Sequence, residues 1–207
     1  LSYESEPMLE QLGSMFAGQI RFHYVMSLLV RDVYDFMLPH EKALDPAEGI
    51  RVYCRRLAQI YQSEIPIGNL PMRMDRFCLF DETHRSSRPL NLAYKAAQPT
   101  DPEKADVFLK NLRHSIVLEQ RPTTHFEEIL RIVRQTGIDE AAFTTHYQNG
   151  DAENALQQDL LLTQKLGIRS LPSYLIQTKD KALLLQSFDL QDFITAIDKL
   201  TKGSPVD

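Results

Sequence analysis

Gly167-Ile168-Arg169-Ser170-Leu171-Pro172-Ser173-Tyr174-Leu175-Ile176 is where the chain changes period. Before it the apolar residues fall at helical spacing; after it they fall at strand spacing. Asp151 is expected to cap a helix that carries Ala152, Leu156 and Leu160 on one face. Gly167 stands where a left-handed residue closes such a helix. Pro172 donates no backbone N–H, which suits the opening of a strand. Ser173 to Gln177 and Ala182 to Gln186 then read as two short strands joined by the polar turn Thr178-Lys179-Asp180. A last helix, from about Leu190 to Leu200, sets Phe193, Ile194, Ile197 and Leu200 on one side.

The other end of the chain has the same alternation of element types. A helix is expected from Ser5 to Phe16, with Met8, Leu12, Met15 and Phe16 on one face and Pro7 in the first turn. Gln19 to Val25 reads as a strand, with Ile20, Phe22 and Tyr24 on one face and His23 on the other. A lone strand or hairpin is unstable in water, so strands from both ends are expected to share one sheet. Everything between is helical or irregular. Residues 31–45 are irregular, and a helix follows from Pro46 to Gln62. Residues 63–87 read as loop, with Pro66, Gly68 and Pro71 as breakers. Asp101-Pro102 opens a helix bearing Ala105, Phe108, Leu112 and Ile116. Thr124 and Glu127 read as a capping box for the next, which Gly137 closes. A short helix is expected from Asp139 to Tyr147. Asp81-Glu82-Thr83-His84 reads as a polar loop, because no second ligand pair answers it.

Bulk properties narrow the function. The chain has 207 residues, 43% of them hydrophobic and 25% charged, ordinary values for a globular protein. Its net charge of −5, with basic residues scattered among acids, offers no stripe for nucleic acid. The longest apolar runs, such as Ala182-Leu183-Leu184-Leu185, are far too short to span a bilayer. No secretory signal is visible, and the sequence starts at Leu1, not at Met. Cys54 and Cys78 are the only two cysteines. They form no CxxC and have no histidine at metal-ligand spacing, so both read as buried thiols and a disulfide between them as the lesser alternative.

The stretch 167–176 resembles a junction of DsbA-like proteins, where the chain returns from a helical insertion to a thioredoxin sheet. Ser87-Arg88-Pro89-Leu90-Asn91-Leu92-Ala93-Tyr94-Lys95-Ala96-Ala97-Gln98 looks like the first insertion helix of the FrnE-like branch and of the related SpxH adapters. Tyr24-Val25-Met26-Ser27-Leu28-Leu29 looks like the end of that branch's second strand. Tyr3-Glu4-Ser5-Glu6-Pro7-Met8-Leu9-Glu10 looks like the helix after its active-site motif. The resemblance implies an α/β protein: a thioredoxin fold over residues 1–38 and 167–202, split by a mainly helical insertion over 39–166. It also implies a cis bond at Leu171-Pro172, and a first strand that residues 1–207 do not contain.

At the active site the sequence departs from the family pattern. The second cysteine of the CxxC aligns with Ser2, and the first would lie two residues before Leu1. Leu1, Tyr3, Leu171 and Pro172 are then the residues expected beside a bound substrate, with the Leu171 backbone pairing to an extended peptide. A cysteine at a helix N-terminus has its thiolate stabilised by the dipole and free N–H groups. With Ser2 as fourth residue, donating a hydrogen bond to that thiolate, a mixed disulfide would need glutathione or another thiol to resolve it. Read without the resemblance, Ser2 is an ordinary helix-start serine.

Three functions are carried forward. The first is a thiol–disulfide oxidoreductase or isomerase acting on protein or peptide thiols in the cytoplasm, with no bound metal and glutathione as a candidate co-reactant. The second is a non-catalytic SpxH-like adapter that holds a partner protein. The third is a relative of kappa-class glutathione transferases and chromene-carboxylate isomerases. A cysteine two residues before Leu1 would support the first, a serine there the third.

Overall fold

Pro7 at the start of a helix, where a missing N–H costs little, and Met8 and Leu12 one turn apart set the first element. In the computed structural model, which describes residues 3–201, that element is α1 (Glu6–Met15). It is followed by a 3₁₀ turn (Val33–Asp35), α2 (Pro39–Lys42), α3 (Pro46–Gly68), α4 (Arg88–Thr100) and α5 (Ala105–Val117). Then come α6 (Phe126–Thr136), α7 (Glu140–Gln148), α8 (Asp151–Lys165), β1 (Tyr174–Gln177), β2 (Ala182–Leu185) and α9 (Leu190–Thr201). The chain divides into two compact units. One comprises Leu1–Tyr24, Glu64–Leu70 and Lys165–Asp207; the other comprises Val25–Ser63 and Pro71–Gln164.

In the first unit, β1 and β2 form an antiparallel hairpin in which Tyr174 faces Leu185 and Gln177 faces Ala182. The turn is closed by the Thr178 N–H donating to the Lys181 carbonyl at 2.8 Å. Helix α9 packs against α1 and both strands. Met8, Leu12 and Phe193 are the buried centre, with Ile20, Phe22, Tyr174, Ile176, Leu185 and Ile197 packed around them. Met15, expected on that face, is 54% exposed, because the helix ends there and its side chain passes the edge of the core.

Gln19–Val25 was expected to be a strand. Among the described residues it forms no ladder; β1 and β2 are the only strands, and they pair with each other. Ile20 and Phe22 nonetheless turn inward as the alternation requires. Gly68 ends α3 where space demands it: a Cβ there would stand 2.4 Å from the Glu4 carbonyl oxygen. The helix therefore runs through Pro66, against the expectation of a loop from residue 63. Its last turn is held by the Asn69 N–H donating to the Ile65 carbonyl at 2.9 Å.

The second unit is helical. Helix α4 packs on α5 and α7, and α5 packs on α6. Phe108, Leu112, Ile116, Ile129, Val133 and Phe143 are buried in it. Lys95 is buried beside Asp159 at 2.6 Å, and that carboxylate also accepts the Met26 N–H at 2.7 Å. Residues 31–45, expected to be irregular, contain the 3₁₀ turn and α2. Glu41 on α2 is fully buried and takes both Nε (2.8 Å) and Nη2 (2.9 Å) of Arg56.

Two expected caps are replaced by other contacts. Helix α6 starts after His125 with no side-chain cap, and buried Thr124 instead donates its hydroxyl to the Leu79 carbonyl at 2.6 Å. A buried hydroxyl goes to whichever acceptor the tertiary fold supplies. Asp151 is the first residue of α8, not its cap, and its carboxylate receives the Asn149 side-chain N–H at 2.8 Å. Asp139 does cap α7, accepting the Ala142 N–H at 2.8 Å. Gly137 closes α6 at φ +72°.

Candidate functional site

The start of α1 and the start of β1 meet through one side-chain pair. Ser5, fully buried, makes no cap bond within α1; its Oγ accepts the Tyr174 hydroxyl at 2.7 Å. The Tyr174 ring also stands edge-on to Phe193, with centroids 4.9 Å apart. Tyr3, two residues earlier, is buried, and its carbonyl accepts the Glu6 N–H at 3.0 Å. Leu1 and Ser2 lie outside the described residues.

The loop before β1 begins with Gly167 at φ +65°, the left-handed closure expected of it. The Leu171-Pro172 bond is cis. Ser173 donates its hydroxyl to the Ser170 carbonyl at 2.7 Å. From beyond β2, Gln186 donates its side-chain N–H to the hydroxyls of Ser170 (2.8 Å) and Ser173 (2.9 Å). That brace leaves Leu171 45% exposed at the tip of a held loop. Of the expected site residues, Pro172 and Leu171 thus lie two and three positions before Tyr174, whose hydroxyl reaches the first turn of α1.

The second unit holds two clusters. Cys54, on the buried side of α3, and Cys78 place their sulfurs 2.9 Å apart as free thiols. The Cys78 sulfur is 3.2 Å from the Phe80 carbonyl oxygen. The hydrogen bond it shares with Cys54 pulls Cys78 down to about 7, against the opposing effect of burial. Cys54 moves the other way: the shared hydrogen bond with Cys78, then burial, push it far up.

Asp81, His84 and His125 form the other cluster. The Asp81 carboxylate lies 3.0 Å from His84 Nδ1 and 2.7 Å from His125 Nε2, and the two rings stack at 3.7 Å. Partial burial pushes Asp81 up. The Thr83 hydroxyl, the His84 and Thr83 N–H groups and the His84 ring outweigh that and hold it well below the usual carboxylate range. One ligand atom from each of the three residues lies within 4.8 Å of the others, a set that suits an imidazole- and carboxylate-preferring metal. The hydrogen bonds already present account for the geometry as it stands. His125 is the partner that sequence reasoning missed, since it lies 44 positions from Asp81 and carries no local signal.

A family model described as thioredoxin matches residues 1–194. The chain belongs to this thioredoxin family. Its fold is shared with solved structures over nearly their whole lengths. A proposed protein disulfide isomerase from Nitrosomonas europaea superposes with a TM-score of 0.70 at 12% identity, covering 95% of this chain and 90% of that one. The cytosolic disulfide reductase DsbM from Pseudomonas aeruginosa gives 0.66 at 15% identity, covering 95% and 91%. The same reductase solved with GSH gives 0.61 at 17% identity, covering 96% and 93%. In sequence, the ClpXP adapter protein SpxH of Shouchella clausii is 27% identical over 84 residues, 41% of this chain but 28% of that adapter. The thioredoxin α/β fold with a large helical part, expected from the junction at 167–176, is therefore correct.

Proposed function

We propose that this member of the thioredoxin family is a thiol–disulfide oxidoreductase or isomerase. The observation that carries the reading is the bond between Tyr174 and Ser5, which ties the strand after Leu171-Pro172 to the first turn of α1. A helix N-terminus facing a held loop can stabilise a thiolate and pin a substrate peptide beside it. In this reading the nucleophilic cysteine lies two residues before Leu1 and Ser2 stands at the resolving position. Leu1, Leu171 and Pro172 then line the substrate, while Tyr3, expected beside it, is buried. The thiolate attacks one sulfur of a protein disulfide and expels the other as a thiolate. Glutathione then attacks the mixed disulfide and releases the enzyme thiol. The reductase solved with GSH supports that choice of co-reactant, and its cytosolic description supports cytoplasmic residence. Among the described residues no helix is long and apolar enough to cross a membrane.

The test is reduction of a peptide disulfide by glutathione with the natural full-length protein. Turnover is expected above the glutathione background. Leu171→Asp should raise KM by roughly tenfold, about 1.4 kcal/mol of lost contact, with a smaller change in kcat. Turnover at background level overturns the reading. The SpxH match then favours an adapter role, checked by whether the protein still binds a partner with its thiols blocked.

A further inference from the structure

The pairing of Cys54 with Cys78 is built by the elements around it. Cys54 follows Tyr53 on the buried side of α3, and it is 1% exposed. Cys78 lies on the segment after α3, which is fastened to that helix on both sides of the cysteine. Phe77 meets Tyr61 edge-on at 5.7 Å, and Phe80 meets Tyr53 at 6.2 Å. Thr124 holds the carbonyl of the intervening Leu79. The two sulfurs are therefore kept face to face, 2.9 Å apart, over the one Phe80 carbonyl oxygen. A small closing movement would bring them to the roughly 2.05 Å of a disulfide bond.

The two thiols are not equivalent. Cys78 is only half-buried, while Cys54 is enclosed. The hydrogen bond shared with Cys54, and nearby Arg51, favour a thiolate at Cys78, opposed by burial and by Asp81. A half-buried, thiolate-prone sulfur backed by an enclosed thiol is the arrangement of an attacking and a resolving cysteine.

We propose that Cys54 and Cys78 form a reversible dithiol–disulfide centre oxidised by low-molecular-weight disulfides, with Cys78 attacking and Cys54 resolving. The Cys78 thiolate attacks one sulfur of the small disulfide, forming a mixed disulfide and releasing one thiolate. Cys54 gives up its proton and attacks the Cys78 sulfur, forming the Cys54–Cys78 bond and releasing the second thiolate. The dithiol loses two electrons and two protons, and the small disulfide becomes two thiols. The centre lies wholly within the second unit and does not rest on the function proposed above.

Oxidised glutathione is the probe, applied to the folded, reduced full-length chain, followed by acid quenching, alkylation, and intact mass with peptide mapping. In the reduced protein Cys78 should alkylate roughly tenfold or more faster than Cys54. After oxidation, a Cys54–Cys78 cross-linked peptide should appear and be lost again on adding a dithiol reductant. The oxidised form should unfold at higher denaturant concentration, because the bridge constrains the unfolded chain. Cys54→Ser should stop at one glutathione on Cys78, and Cys78→Ser should leave Cys54 unmodified. Wild-type protein that keeps both thiols alkylatable after oxidation, or that holds glutathione on Cys78 without cross-linking, overturns the proposal. Because the decisive readout is on the wild type, poor folding of a variant leaves it intact.

Discussion

Tyr174 joins two parts of the chain 169 positions apart through a single hydroxyl. Its ring is held by Phe193 and its oxygen by Ser5, so the two contributions separate cleanly by substitution. Tyr174→Phe keeps the ring and should cost about 1 kcal/mol, the net value of one such hydrogen bond. A urea midpoint equal to wild type would show that Ser5 finds another partner at no loss. Little of this was visible in sequence: Tyr174 read as a strand residue and Ser5 as a helix start, and neither role implies the other. The same holds for His125, which joins Asp81 and His84 only in space.

Among the elements, the helices were the most legible, because an apolar residue every third or fourth position needs only one face to bury. Phe126–Thr136 and Leu190–Thr201 fall within a residue or two of their expected spans. Helix α3 overran its expected end by six residues, since Pro66 read as a stop. A proline removes one hydrogen bond and crowds the preceding turn, yet α3 continues for two residues beyond it. Gly68 marks the true end, where the helix backbone passes against Glu4. Gly68→Ala would drive a methyl group into the Glu4 carbonyl with backbone on both sides, and should cost about 2–3 kcal/mol. Thermal unfolding of that variant checks it; an unchanged midpoint would mean the Glu4 backbone yields freely. The strand expected at Gln19–Val25 shows the converse limit. Alternation correctly placed Ile20 and Phe22 inward, but a ladder also needs a neighbour with free N–H and C=O groups.

For the whole molecule, several carboxylates are held below their ordinary range by cations. Glu41 is lowered chiefly by the hydrogen bonds from Arg56. Glu128 is pushed up by burial, but Arg131 and Arg121 more than offset that. A carboxylate with a folded pKa below its unfolded value of about 4.3 adds stability at neutral pH, and that contribution is lost as pH falls through the folded value. Stability to urea is therefore expected to decline from about pH 5 downward. Arg56→Met leaves the buried Glu41 charge without its partner. It should cost about 3 kcal/mol at pH 7 and flatten the acid-side decline. A variant with the same pH profile as wild type would remove Glu41 from the acid response.

By itself the sequence determined most of the helices and their apolar faces, the turn at Gly167 and the thioredoxin family of the junction at 167–176. Those properties are local: a few neighbouring residues specify them through periodicity and backbone preference. The tertiary structure decided what meets what. It put Cys54 against Cys78, His125 against Asp81, Thr124 under Leu79 and Tyr174 on Ser5. Such contacts depend on where packed elements leave a sulfur, a ring or a hydroxyl, and no spacing along the chain records that.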